Sequence, residues 1–272
     1  MSRLLKADLY HLRKSRLTLI ALILAAAFPV LIVLLYKGIN LLSGFDEISG
    51  GASLFSANNV IGTVFSLTNN IGLVLPVFAG IIVCLDLSNG TLRNKVIAGN
   101  RRSAIYLSHL LISMLFLVAV IAIYAIVTTA LALLFFPFNW DSALSLGKEI
   151  VYFAAYGLAS FAFIATVTTM VALTFRSVAP TIIITIVFSI VLYLLNTVLM
   201  MFDLGSFRYA VYFIPTYAGN IFNLNGSLLG MFDPAADVSR DLIFAEGMLS
   251  YLFFGSLHTL LGLLIFKKRD LR

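Results

Sequence analysis

Charge is what this chain is short of. Only 11% of its 272 residues are Asp, Glu, Lys or Arg, while 61% are hydrophobic. A soluble domain carries about 25% and about 45–50% respectively. Several uncharged apolar runs reach the roughly 20 residues that cross a hydrocarbon core of about 30 Å at 1.5 Å per residue. Cysteine is nearly absent: Cys84 stands alone, which excludes an intramolecular disulfide framework and a cysteine metal cluster. The histidines, His11, His109 and His258, are scattered and match no HExxH or Cys/His spacing, so they read as structural. No GxxxxGK[ST] phosphate loop occurs, since Gly147-Lys148 is followed by Glu149 and Ser142 stands where the first glycine belongs. No acid or cation falls in the middle of an apolar run, which removes the usual mark of a proton relay or an ion pathway.

The fold class expected is all-α, a polytopic bundle of six membrane spans forming a single transmembrane domain over 1–272. Residues 1–16 carry Arg3, Lys6, Arg13 and Lys14, with Leu5, Leu9 and Leu12 on another face, and read as an amphipathic interfacial helix. A cleaved signal peptide is the alternative, but the apolar run continues uncut through Ala25-Ala26-Ala27 to Tyr36. The spans fall at 17–36, 69–87, 104–136, 149–175, 181–202 and 247–266. The second contains Pro76, which predicts a kink. The third would be about 50 Å long if wholly helical, so it must tilt, break or protrude. Phe135-Phe136-Pro137-Phe138-Asn139-Trp140 closes it with an interfacial aromatic cluster. The fourth is rich in small and hydroxyl residues and is expected at a crowded helix interface. Residues 203–246, broken by Pro215, Gly219, Gly226 and Gly230, read as a re-entrant or interfacial pair of short helices.

The distribution of charge orients the chain. With both termini in the cytoplasm, 14 of the 18 cations lie inside with only Asp8, Asp86 and Asp270. The inner segments then total +11 and the outer ones −5, as the positive-inside rule requires. The net charge of +6 is thereby a matter of membrane topology, and no nucleic-acid partner is expected.

Among polar residues inside the spans, the hydroxyls can satisfy themselves one turn back. Asn196 is harder to satisfy and reads equally as an interhelical hydrogen bond or as part of a substrate path. The largest polar interruption is the inner loop 88–103. Gly90 can end the second span in a left-handed conformation, Thr91 can cap a short helix from Leu92 to Ala98, and Asn100 can cap the third span. Asp86 sits unfavourably at a helix C-terminus and is expected to hold Arg93, Arg101 or Arg102. A solvated loop whose cations only fix topology is the plainer alternative.

At these residues the chain resembles the type-2 ATP-binding-cassette (ABC) export permeases. The pattern is Asp86-x-x-x-Gly90-Thr91-Leu92-Arg93 followed by Arg101-Arg102 between the second and third spans. The resemblance extends to the amphipathic amino-terminal helix, the six spans and the broken segment before the last. The chain departs at Asp86, where the family usually has Glu, and at His109, where a lysine is common. The resemblance implies a coupling helix that docks on a separate ABC ATPase subunit: Thr91 and Leu92 would seat in that partner, while Asp86, Arg93, Arg101 and Arg102 hold the loop's shape. It also implies a second permease chain, as a homodimer or heterodimer. ATP and Mg would be bound by the partner, with no cofactor on this chain. The expected function is the permease subunit of an ATP-driven exporter in the bacterial cell membrane, itself without catalysis, moving an antimicrobial or amphipathic peptide or another hydrophobic compound. The rivals are a non-transporting scaffold or sensor subunit and a polytopic lipid-modifying enzyme. The enzyme would need convergent reactive groups, and the sequence offers only isolated Asp86, His109 and His258.

Overall fold

A computed structural model describes residues 2–43, 57–62, 64, 77–84, 91–137, 143–200, 213–215 and 240–268. The described residues contain helices and no strand: α1 (Ser2–Lys14), α2 (Arg16–Ser43), α3 (Ala57–Gly62), α4 (Thr91–Ile97), α5 (Arg102–Phe135), α6 (Ala143–Phe175), α7 (Val178–Met200) and α8 (Arg240–Lys268). Residues 77–84 are also helical. The chain is thus all-α, as expected. Among the described residues, five helices are long and apolar enough to span a membrane, within α2, α5, α6, α7 and α8. The second expected span, 69–87, is described only over 77–84, so its beginning, Pro76 and its end lie outside the described residues. Most of the 203–246 segment and Trp140 lie outside them too.

Helix α6 is the axis of the bundle. Two-thirds of its spanning window is buried, whereas only 11% of that of α7 is. Its sequence explains the difference, because small and hydroxyl side chains let neighbouring backbones approach where lipid provides no hydrophobic drive. Three of its hydroxyls close onto their own helix: Ser160 donates to the Gly157 carbonyl, Thr166 to that of Phe163 and Thr174 to that of Met170. Thr169 instead meets Ser113 of α5 at 2.9 Å, tying the two most buried helices together. Gly80 packs between Thr168 and Thr181, where an added methyl would stand 3.0 Å from Thr181 Cγ2. α5 and α8 flank α6, α2 packs on α5, and α3 covers the end of α5 with Val60 and Ile61 against Ala132 and Phe136.

Two expectations are resolved by length. α5 is one unbroken helix of 34 residues, about 51 Å. It does not break; the first two turns carry the contacts with α1 and α4 described below. α8 begins at Arg240, seven residues before the expected span, so Asp241 and Glu246 belong to a helix rather than to the preceding segment. α2 passes through Pro29 without ending. α5 also meets α8, where the fully buried Tyr106 ring lies against Gly262.

A methyl group at Gly262 would overlap that ring, with Tyr106 Cζ at 2.7 Å. Gly262→Ala should therefore lower stability by about 1–3 kcal/mol in detergent thermal unfolding. Adding Tyr106→Phe, which removes the nearest atom, should recover part of the loss. A fully stable Gly262→Ala variant would contradict this packing.

Candidate coupling site at the basic end of the bundle

One end of the bundle gathers α1, α4, the start of α5, the turn between α6 and α7, and the end of α8. Its apolar floor contains Leu4, Val83, Leu92, Ile105, Tyr106, Leu173 and Phe266, with Val178 of α7 packed against it. Chain reversal between α6 and α7 is very short. Arg176 takes a left-handed φ of 55° and its amide donates to the Ala172 carbonyl, closing α6 before α7 begins two residues later.

The side of α1 that meets the bundle is Leu4, Asp8 and Leu12, all buried and four residues apart. The expected apolar face of Leu5, Leu9 and Leu12 lies beside this stripe, with Leu9 46% exposed. The buried side is turned by roughly 60° from the anticipated one and is centred on an acid. Asp8 is compensated from two directions. Lys95 of α4 places its Nζ 2.7 Å from Asp8 Oδ1, and Ser108 of α5 donates its hydroxyl to Asp8 Oδ2 at 2.5 Å. Lys95 Nζ is also 3.5 Å from His109 Nε2. An ammonium has only donors to offer, so that ring nitrogen serves as acceptor. A charge this deep is tolerated only with a partner and hydrogen bonds of its own. The cluster thus fixes three helices relative to one another.

Helix α4 is short and shaped at both ends. Thr91 is its first residue and is half-buried. At the other end Gly99 adopts φ 83°, and its amide donates to the Val96 carbonyl. That turn brings Asn100 back, so its Nδ2 donates to the Lys95 carbonyl at 2.9 Å. Asn100 therefore closes α4; it does not cap α5, whose N-cap position is Arg101 without a side-chain cap. Arg102 reaches across the bundle, its Nη1 donating to the Lys267 carbonyl at 2.9 Å. A cation there also opposes the negative end of the α8 dipole.

The expected interface residues are thus distributed as follows. Thr91 and the helical backbone at Arg93 lie in α4, Arg101 is exposed, and Arg102 braces the end of α8. Leu92 is only 3% exposed and is turned into the chain's own core beside Leu4 and Val83. Asp86 and Gly90 lie outside the described residues. Asn196 is not brought to this site; it is buried near the opposite end of α7, about 27 Å of helix away from Val178. Three residues were not anticipated. Asp8 and Lys95 form the buried pair, and Ile97 is 73% exposed on the outer side of α4. A lone acid spaced four residues from leucines on each side was the signal for Asp8.

The described residues form a bundle of membrane-length apolar helices with a braced loop helix at its basic end, and they hold no reactive constellation. A family model described as "ABC-2 family transporter protein" matches residues 4–192, from α1 through most of α7. The chain belongs to that family, the type-2 ABC permeases. Its members are membrane transport subunits that work with ABC ATPases. No curated protein matches the chain closely enough to extend that reading.

Removing one partner of the ion pair should be far worse than removing both. Asp8→Ala or Lys95→Ala alone should cost about 3–5 kcal/mol in thermal or denaturant unfolding, because a buried charge is stranded. Asp8→Leu with Lys95→Met should lie within about 1–2 kcal/mol of the native protein. Equal losses in the single and double variants would contradict the assignment.

Proposed function

We propose that this chain is the permease subunit of an ATP-driven exporter, and that α4 is the coupling helix through which a separate ABC ATPase subunit moves it. The observation that carries this is the construction of α4. It is held from behind by Leu92 and Lys95, while Asn94, Ile97 and Ala98 face outward. An isoleucine 73% exposed on the outer side of this short loop helix is suited to an apolar pocket on a partner. In this reading Ile97 is the residue that enters the ATPase, Arg101 contributes charge at the rim, and Leu92 and Arg102 keep the helix in place. Asp86, Gly90, Thr91 and Arg93 complete the same loop.

ATP and Mg belong to the ATPase, and this chain performs no catalysis. A second permease chain, identical or related, completes the pathway. The basic end faces the cytoplasm together with both termini, in a bacterial cell membrane. Closure of the ATPases on ATP pushes α4, and the force reaches the spans through the cluster at Asp8. The cargo is an antimicrobial or amphipathic peptide or a comparable hydrophobic compound, in keeping with the predominantly apolar spans, and Asn196 is the polar side chain proposed for its path.

The test separates docking from folding. Ile97→Asp should abolish co-purification with the ATPase subunit and its permease-dependent ATP turnover, with no change in the unfolding temperature of the permease. Leu92→Asp should instead lower that temperature sharply, since it buries a charge in the floor. An Ile97→Asp variant that still binds and drives the ATPase would refute the assignment of α4. Orientation is tested in a Cys84→Ala background. A cysteine at Asn94 should react with an impermeant maleimide only in inverted vesicles, and one at Leu41, 74% exposed beyond the first span, only in intact cells. The reverse pattern would overturn the topology.

A further inference from the structure

We propose that the outward side of α1 is a binding surface for anionic phospholipid headgroups, and that the Asp8–Lys95 pair passes its occupancy to the coupling helix. The second half rests on the reading of α4 given above; the first does not.

Burial has already used one side of α1, the stripe of Leu4, Asp8 and Leu12. What remains is Lys6, Arg13 and Lys14, all exposed, with Leu9 46% and Tyr10 56% exposed among them. At 100° per residue, Leu9, Arg13, Lys6, Tyr10 and Lys14 follow one another round an arc of roughly 140°. The apolar edge of that arc adjoins Leu5, and its other edge is cationic, with Lys14 Nζ 4.9 Å over the Tyr10 ring. This is the pattern of a helix lying in the headgroup layer.

Position agrees with pattern. Only Ser15 separates α1 from α2, whose spanning stretch begins at Arg16. The Ser15 carbonyl accepts from the Leu19 amide, and its own amide donates to the Leu12 carbonyl, so the junction is a tight turn. α1 is therefore held at the membrane edge. Any lipid would serve the leucine edge, but three cations select an anionic headgroup, while the one acid of the helix points inward to Lys95 and Ser108.

The consequence follows from rigidity. The ion pair and the hydroxyl clamp join α1 to α4 and α5, and Leu4 and Leu92 share one apolar floor. A headgroup that fixes the roll of α1 about its axis also fixes α4. Anionic lipid should then favour a coupling helix correctly set for the ATPase.

Two measurements test this. The chain alone, in nanodiscs of phosphatidylcholine with or without phosphatidylglycerol, is assayed by native mass spectrometry for retained phosphatidylglycerol. Each of Lys6→Gln, Arg13→Gln and Lys14→Gln should weaken the preference about fivefold, and the triple variant should lose it. The complex with its ATPase subunit is then assayed for ATP turnover in the same discs. Phosphatidylglycerol should raise turnover of the native complex severalfold and leave the triple variant unmoved. Asp8→Asn should retain the lipid yet lose the response. A triple variant that binds or responds like the native chain overturns the proposal, as does loss of ATPase association in that variant whatever the lipid, which would assign the surface to the ATPase. Should no ATPase subunit associate with the native chain, the functional reading fails, and lipid retention by the chain alone still decides the surface.

Discussion

The buried ion pair between Asp8 and Lys95 is the constraint on which the basic end depends. A carboxylate 4% exposed cannot be held there by Coulomb attraction alone, because desolvation opposes it. The second oxygen is therefore engaged by Ser108, and the ammonium has His109 beside it. Four residues from α1, α4 and α5 thus have one mutually compatible arrangement. Specificity of that kind is something an all-leucine contact would not supply, since apolar faces slide past one another at small cost. A helix meant to transmit displacement needs a fixed register, and the pair provides it.

Around this fixed end the remainder of the bundle is deliberately loose in its surroundings. α6 is encased, and α5 is partly so. α2, α7 and α8 present long apolar faces outward, including Leu31, Ile183, Val187 and Leu252. In water such faces would cause collapse or aggregation. In a bilayer they are solvated, and cohesion rests instead on side chains seated against Gly80 and Gly262 and on the hydroxyl contact between Ser113 and Thr169. The two ends of the same helices therefore obey different rules. Polar clamps fix the basic end, and small-residue packing holds the part inside the membrane.

Most of the helical architecture was legible in the sequence because hydrocarbon thickness imposes it. The expected spans 17–36, 104–136, 149–175 and 181–202 lie within a few residues of the spanning parts of α2, α5, α6 and α7. Hydropathy registers only the apolar portion, which is why α6 begins at Ala143 and α8 at Arg240, ahead of their expected starts. The clamp was not legible. Asp8 and Lys95 are 87 positions apart, and charge counting assigns both to topology. Asn100 was matched to the wrong helix because two helix ends compete within a few residues. The left-handed turn at Gly99 decides between them by folding Asn100 back onto Lys95. The resemblance implies that Leu92 seats in the ATPase, whereas its side chain is 3% exposed and faces the chain's own core.

If the pair does what its geometry implies, α1 and α4 move as one body when the ATPase binds nucleotide. Pulsed electron–electron resonance between spin labels at His11 and Asn94, both exposed, measures this directly in the permease–ATPase complex. The distance distribution should be single and unchanged on addition of ATP, and should broaden when Asp8 is replaced by Asn. A shift of the His11–Asn94 distance on ATP binding in the native complex would contradict the account.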